Sequence, residues 1–97
     1  MEFRIGELVV NRISEPEVTL YSVGWCGWCD LARAWLDEHD VSYREIDVPD
    51  MQKERHEVLQ ISGQFEVPVI VVECDGKRHV FLDERNSELR QVLGLAV

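Results

Sequence analysis

Val18–Asp40, VTLYSVGWCGWCDLARAWLDEHD, sets a β-forming run, a Cys-x-x-Cys pair and a helical pattern in direct succession. Val18-Thr19-Leu20-Tyr21 is rich in β-branched and aromatic residues and reads as a strand. Ser22–Trp25 is the loop after it. From Gly27 to about His39, Leu31, Ala32, Trp35 and Leu36 recur at i, i+1, i+4 and i+5, one apolar stripe of a helical period. Asp30, Arg33, Asp37 and Glu38 take the other face. Cys26 therefore stands between the end of a strand and the first turn of a helix, and Cys29 lies one turn further on.

Outward from this stretch, Val41–Val48 alternates apolar and polar residues, as a half-buried strand does. Pro49-Asp50 opens a second helix running to about Ile61, with Met51, Val58 and Leu59 inward, and Gly63 stops it. Val67–Val72 reads as a buried strand opened by Pro68. Asp75-Gly76 is a strong hairpin signal and leads into a strand over His79–Leu82. Asn86-Ser87 caps a last helix that carries Leu89, Val92 and Leu93 and ends at Gly94. The order is βαβ, then α, then a β-hairpin, then α. The first unit implies parallel strands with a right-handed crossover, and the hairpin adds an antiparallel pair. The expectation is an α/β fold, a four-stranded mixed sheet flanked by three helices. Residues 1–17 form an N-terminal extension, with Leu8-Val9-Val10 a short strand set apart by Pro16. Residues 18–97 form one domain.

The chain of 97 residues is 45% hydrophobic and 30% charged, the balance of an ordinary globule. Its net charge of −9 repels phosphate backbones and anionic membranes, so neither nucleic acid nor a membrane is an expected partner. Met1–Glu7 carries charge where a signal peptide needs an apolar run, and no stretch is long and apolar enough to span a bilayer. The expected location is cytoplasmic. Three cysteines, an odd number, do not make a secreted disulfide scaffold.

Cys-x-x-Cys in such a chain points to redox chemistry or metal. A helix start offers unpaired N–H groups and partial positive charge, both of which favour a thiolate. Motifs of this kind lower a cysteine from about 8.5 to roughly 3.5–7.5, and the thiolate is the attacking species in disulfide exchange. Cys26 is the expected nucleophile. Cys29, one turn in and more covered, is the expected resolving thiol, so the two alternate between a dithiol and a redox-active disulfide. Gly27 adds little stiffness, and Trp25 and Trp28 offer aromatic surface to a substrate. Structural zinc needs two more ligands in a second close pair; only Cys74 and the scattered His39, His56 and His79 remain, so no metal site is assigned. Cys74 reads first as a core residue, with a third redox thiol as the sharper alternative.

Taken together, these residues resemble the glutaredoxin family. Val18–Ser22 followed by Trp25-Cys26-Gly27-Trp28-Cys29 is similar to its first strand and active-site loop. Gly63-Gln64 before Val67-Pro68 is similar to its glycine-glutamine stretch before a threonine-valine-proline motif, and Asp75-Gly76-Lys77 to its hairpin turn. The resemblance implies the thioredoxin-like (glutaredoxin-type) fold, a cis Pro68 and Cys26 as the more exposed thiol. It also implies substrate contacts from Trp25, Gly27, Trp28, Gln64, Val67 and Pro68. The family's usual motif is Cys-Pro-Tyr-Cys; Gly27 and Trp28 stand in its middle here. A lysine commonly stands at the position of Val23 and an arginine at that of Phe65, and Glu66 replaces the threonine. Two cationic contacts for glutathione carboxylates are thereby missing. The resemblance thus implies a monomeric disulfide reductase needing no resident cofactor, acting on protein disulfides or glutathione-mixed disulfides. Its electrons would come from glutathione, poorly held, or from a thioredoxin-reductase-type donor. The alternative is an iron–sulfur or zinc carrier using Cys26, since some members with glycine at the position of Gly27 hold a cluster; four ligands would then require a dimer.

Overall fold

A computed structural model of the chain describes residues 16–95. The extension expected over 1–17, with its strand at Leu8–Val10, lies outside the described residues except for Pro16 and Glu17. The elements are β1 (Glu17–Ser22), α1 (Gly27–Glu38), β2 (Arg44–Asp47), a 3-10 turn (Gln52–Glu54), α2 (His56–Ser62), β3 (Val69–Cys74), β4 (Lys77–Phe81) and α3 (Ser87–Leu93). The sheet order is β2-β1-β3-β4. β1 runs parallel to β2, with Tyr21 opposite Ile46, and antiparallel to β3, with Tyr21 opposite Val69. β3 and β4 form the antiparallel hairpin, with Ile70 opposite Phe81. The expected mixed α/β sheet with three helices is the architecture found.

Period-2 alternation divides the sheet into two faces. Val18 and Leu20 of β1 and Ile70 and Val72 of β3 point to one side. There they pack with Ala32 and Leu36 of α1, Leu89 of α3, and Phe81. Tyr21, Val69 and Val71 point to the other and meet Val58 of α2, Val48, Val23, Cys26 and Cys29. Leu20, Leu36, Ile70 and Leu89 are wholly buried, and truncating such a residue to alanine costs about 2–5 kcal/mol. At the hairpin turn Asp75 and Gly76 both have positive φ, 54° and 79°, the pairing that a two-residue connection of this hand demands. Asn86 caps α3 by accepting the Glu88 amide at 2.9 Å, and Gly63 and Gly94 take left-handed φ at the ends of α2 and α3.

Three expectations are corrected. Leu31 is 51% exposed; the buried stripe of α1 runs through Cys29, Ala32 and Leu36 instead, because Cys29 serves as the first apolar contact of the helix. The second helix is not continuous. Arg55 breaks it with φ −88° and ψ 63°, leaving the 3-10 turn before it and α2 after it. In consequence Met51 and Leu59 face outward, and Val58 alone of the three named residues is buried. The strand expected over Val41–Val48 pairs only across Arg44–Asp47, the part that lies opposite β1.

The register gathers four connections at one end of the sheet. The segments after β1, after β2 and after β4, and the segment before β3, all emerge beside Ser22, Asp47, Phe81 and Val69. Residues distant in sequence therefore meet there. Among the described residues no helix is long and apolar enough to cross a membrane.

Candidate active site

Cys26 is the N-cap of α1. Its backbone is extended, with φ −90° and ψ 118°, and its Sγ accepts the Cys29 amide at 3.2 Å. The sulfur thus stands where a capping oxygen usually does, in front of unpaired helix N–H groups. The loop between β1 and α1 is closed by the Cys26 amide, which donates to the Val23 carbonyl at 3.4 Å. Both thiols are free. Cys26 keeps 8% of its surface and Cys29 none, the order of exposure that the resemblance implied.

The two sulfurs differ electrostatically. Burial, and after it the hydrogen bond and charge of Cys26, push the Cys29 thiol up to about 12. The Val23 backbone and the Arg33 guanidinium oppose this only in part. Arg33 braces the loop from below, donating to Ser22 Oγ at 3.3 Å and to the Val23 carbonyl at 3.4 Å while pairing with Asp30 and, at 2.7 Å, with Glu45. Ser22 in turn donates to Glu45. Burial alone would raise the Glu45 carboxyl, but the bonds from Ser22 and Arg33 outweigh it and hold the group below the usual carboxylate range.

Beside Cys26 lies an open cleft of about 500 Å³, lined by Trp25, Cys26, Trp28, Asp50, Gln52, Arg55, Glu66 and Val67. Trp25 and Trp28 are 68% and 58% exposed, so the expected aromatic surface is free to meet another molecule. Arg85, paired with Asp83 at 2.7 Å, stacks over Trp28 with 5.4 Å to the ring centre. The Val67 carbonyl is 4.0 Å from Cys26 Sγ, and the Val67–Pro68 bond is cis, as the resemblance implied. Gly27 is exposed at the first position of α1. Gln64 is engaged within the chain. Its amide nitrogen donates to Ser62 Oγ at 2.9 Å and to the Glu66 carbonyl at 3.1 Å, and its amide oxygen accepts the Glu66 N–H at 2.5 Å. It acts as a clamp on the segment before Pro68.

Arg55 is the residue that sequence reading missed. It is 3% exposed. Its guanidinium donates to the carbonyls of Pro49 at 2.7 Å, Asp50 at 2.8 Å and Phe65 at 3.1 Å. One buried cation thereby ties the connection after β2 to the connection before β3, the two segments that carry Asp50 and Glu66 to the cleft. Set between Glu54 and His56 in a polar run, it gave no local signal; the break it makes in the helix is the trace of its inward turn.

Cys74 lies at the other end of β3 from this cleft, half-buried, where burial and the Asp75 carboxylate push its thiol up and disfavour the reactive form. Among the described residues no group of three His, Cys, Asp or Glu side chains is placed to hold a metal ion.

Residues 18–80 match the family model described as glutaredoxin. The chain belongs to the glutaredoxin family. An uncharacterized glutaredoxin-like 8.6 kDa protein in the rubredoxin operon of Clostridium pasteurianum is 32% identical over 56 residues, 58% of this chain and 75% of that protein. The glutaredoxin-like protein NrdH of Lactococcus lactis is 32% identical over 53 residues, 55% of this chain and 72% of that protein. Among solved structures, a glutaredoxin from Archaeoglobus fulgidus superposes with a TM-score of 0.61 at 26% identity, covering 79% of this chain and 85% of that one. Glutaredoxin membership carries thiol–disulfide redox chemistry as a general function, with glutathione or thioredoxin-reductase-type donors and disulfide substrates.

Proposed function

We propose that this glutaredoxin is a protein-disulfide reductase that works through Cys26 and Cys29. The Cys26 thiolate attacks one sulfur of a substrate disulfide and forms a mixed disulfide, releasing the first substrate thiolate. Cys29 then loses its proton and displaces the second, leaving a Cys26–Cys29 bond, so two protein thiols are oxidised as one disulfide is reduced. A donor dithiol or two glutathione molecules restore the pair. The observation that carries this reading is the asymmetry of the dithiol. One sulfur caps a helix at the edge of a cleft; the other is wholly buried with its proton held up to about 12.

Trp25 and Trp28 supply apolar contact, and the Val67 backbone beside cis Pro68 borders the bound sulfur. Gly27 keeps the approach to Cys26 open. Gln64 contributes by fixing the Glu66 segment. No resident cofactor is needed. Glutathione is a poor donor for this site, because Val23 and Phe65 stand where the family commonly carries lysine and arginine, and the nearby Glu66 is anionic; a thioredoxin-reductase-type partner fits better. The protein acts as a monomer in the cytoplasm, where such donors keep dithiols reduced.

Turnover of a model disulfide is measured with two recycling systems, glutathione with its reductase and thioredoxin reductase, each with NADPH. Faster turnover with thioredoxin reductase, abolished by Cys26→Ser, is expected. Full activity in Cys26→Ser overturns the assignment, and fast turnover with glutathione overturns the donor preference.

A further inference from the structure

Resting on that redox reading, we infer that the cleft selects substrates by charge: Asp50 and Glu66 favour disulfides whose cysteine is flanked by lysine or arginine. The two carboxylates reach the cleft from separate connections, one after β2 and one before β3, and both line it with Cys26. The backbone beneath each is fixed. The Asp50 backbone is held through its carbonyl by Arg55, and the Glu66 backbone is held at both its N–H and its carbonyl by Gln64.

Arg55 and Arg85 do not cancel them. Arg55 is buried, with its guanidinium committed to three backbone carbonyls. Arg85 is paired with Asp83 and lies over Trp28 rather than among the residues lining the cleft. An incoming chain therefore meets two solvent-facing carboxylates, each on a fixed backbone, beside the sulfur it must reach. The net charge of −9 adds a field of the same sign. A peptide carrying lysine beside its cysteine is drawn in, and one carrying glutamate, or the carboxylates of glutathione, is repelled.

Each exposed ion pair of this kind is worth about 1.4- to 5-fold in binding. Two together predict roughly a tenfold preference for lysine-flanked over glutamate-flanked substrate at low salt, shrinking as the screening length falls to about 3 Å at 1 M salt. The test needs no electron donor. Pre-reduced protein is mixed in stopped flow with lysine- or glutamate-flanked peptides carrying their cysteine as a mixed disulfide with thionitrobenzoate. Either order of attack releases one thionitrobenzoate and one peptide thiol as the Cys26–Cys29 disulfide forms. Rates are divided by those of mercaptoethanol with the same peptides, which removes their intrinsic reactivity.

The inference predicts a corrected lysine-to-glutamate ratio near ten that falls to about two in the Asp50→Asn, Glu66→Gln double variant and inverts in the Asp50→Lys, Glu66→Lys double variant. A ratio near one in the wild-type protein overturns it while leaving the redox reading intact. A high ratio that survives the double variant also overturns it, since the field of the whole protein would then be the cause. Absence of any Cys26-dependent release overturns the redox reading on which it rests.

Discussion

Replacing Arg55 by methionine keeps the length of the side chain and removes the three hydrogen bonds that join the two walls of the cleft. The Phe65 carbonyl loses a charged donor at a half-buried position, a loss of about 1.5–3 kcal/mol. Pro49 and Asp50 are exposed, so water replaces most of what their carbonyls lose. Methionine no longer has to keep a cation out of water, which offsets part of the cost. The net expectation is a destabilisation of about 2 kcal/mol. With a urea dependence near 1 kcal/mol per molar, the unfolding midpoint falls by about 2 M at unchanged slope. Arg55→Lys keeps the charge but not the planar fork that spans the three carbonyls, and should lose about 1 kcal/mol. The assay is equilibrium urea unfolding of the full chain followed by tryptophan fluorescence. An Arg55→Met loss below about 0.5 kcal/mol, the range of an ordinary surface substitution, refutes the clamp.

Three more outcomes follow from the same structure. Cys29, raised to about 12 when folded, contributes stability that is complete below the ordinary thiol range and is lost as pH rises from about 8.5 through that value. Urea midpoints should therefore fall above about pH 8.5 more steeply in the wild-type protein than in Cys29→Ala. Glu45, held low by Ser22 and Arg33, contributes stability that is present above the ordinary carboxylate range and is lost as pH falls through its lowered value. Thermal melts should show Glu45→Gln less stable by under about 1 kcal/mol at neutral pH, the difference shrinking as pH falls below the ordinary carboxylate range. Gly63 has φ +82° with open space around its missing Cβ, so Gly63→Ala should cost about 1 kcal/mol through backbone conformation alone, read as a lower melting temperature.

The parts of this fold that local chemistry dictates were legible in the sequence. A run of β-forming residues marked β1, an apolar run after Pro68 marked β3, Asp75-Gly76 marked the hairpin, and Asn86, Gly63 and Gly94 marked helix ends where the structure has them. The dithiol was legible for the same reason, since strand, loop and helix are contiguous around Cys26. What escaped was set by contacts between distant segments. Leu31 looked as apolar as Ala32, and only the burial of Cys29 in the second face of the core decided which stripe of α1 turned inward. Arg55 looked like a solvated charge. Its three acceptors belong to residues 49, 50 and 65, which the sheet register alone brings together. Gln64 was read as a substrate contact because its type and place matched a motif, but the sequence gives no sign that its amide closes on Glu66.

The division of labour between the sulfurs is open to one direct measurement. Reduced Cys29→Ser protein is mixed with a peptide disulfide, quenched in acid and mapped by mass spectrometry after proteolysis. One peptide per chain, attached at Cys26 and stable until a thiol is added, is the predicted result. An adduct at Cys74, or none at Cys26 under conditions in which the wild-type protein is oxidised, contradicts it.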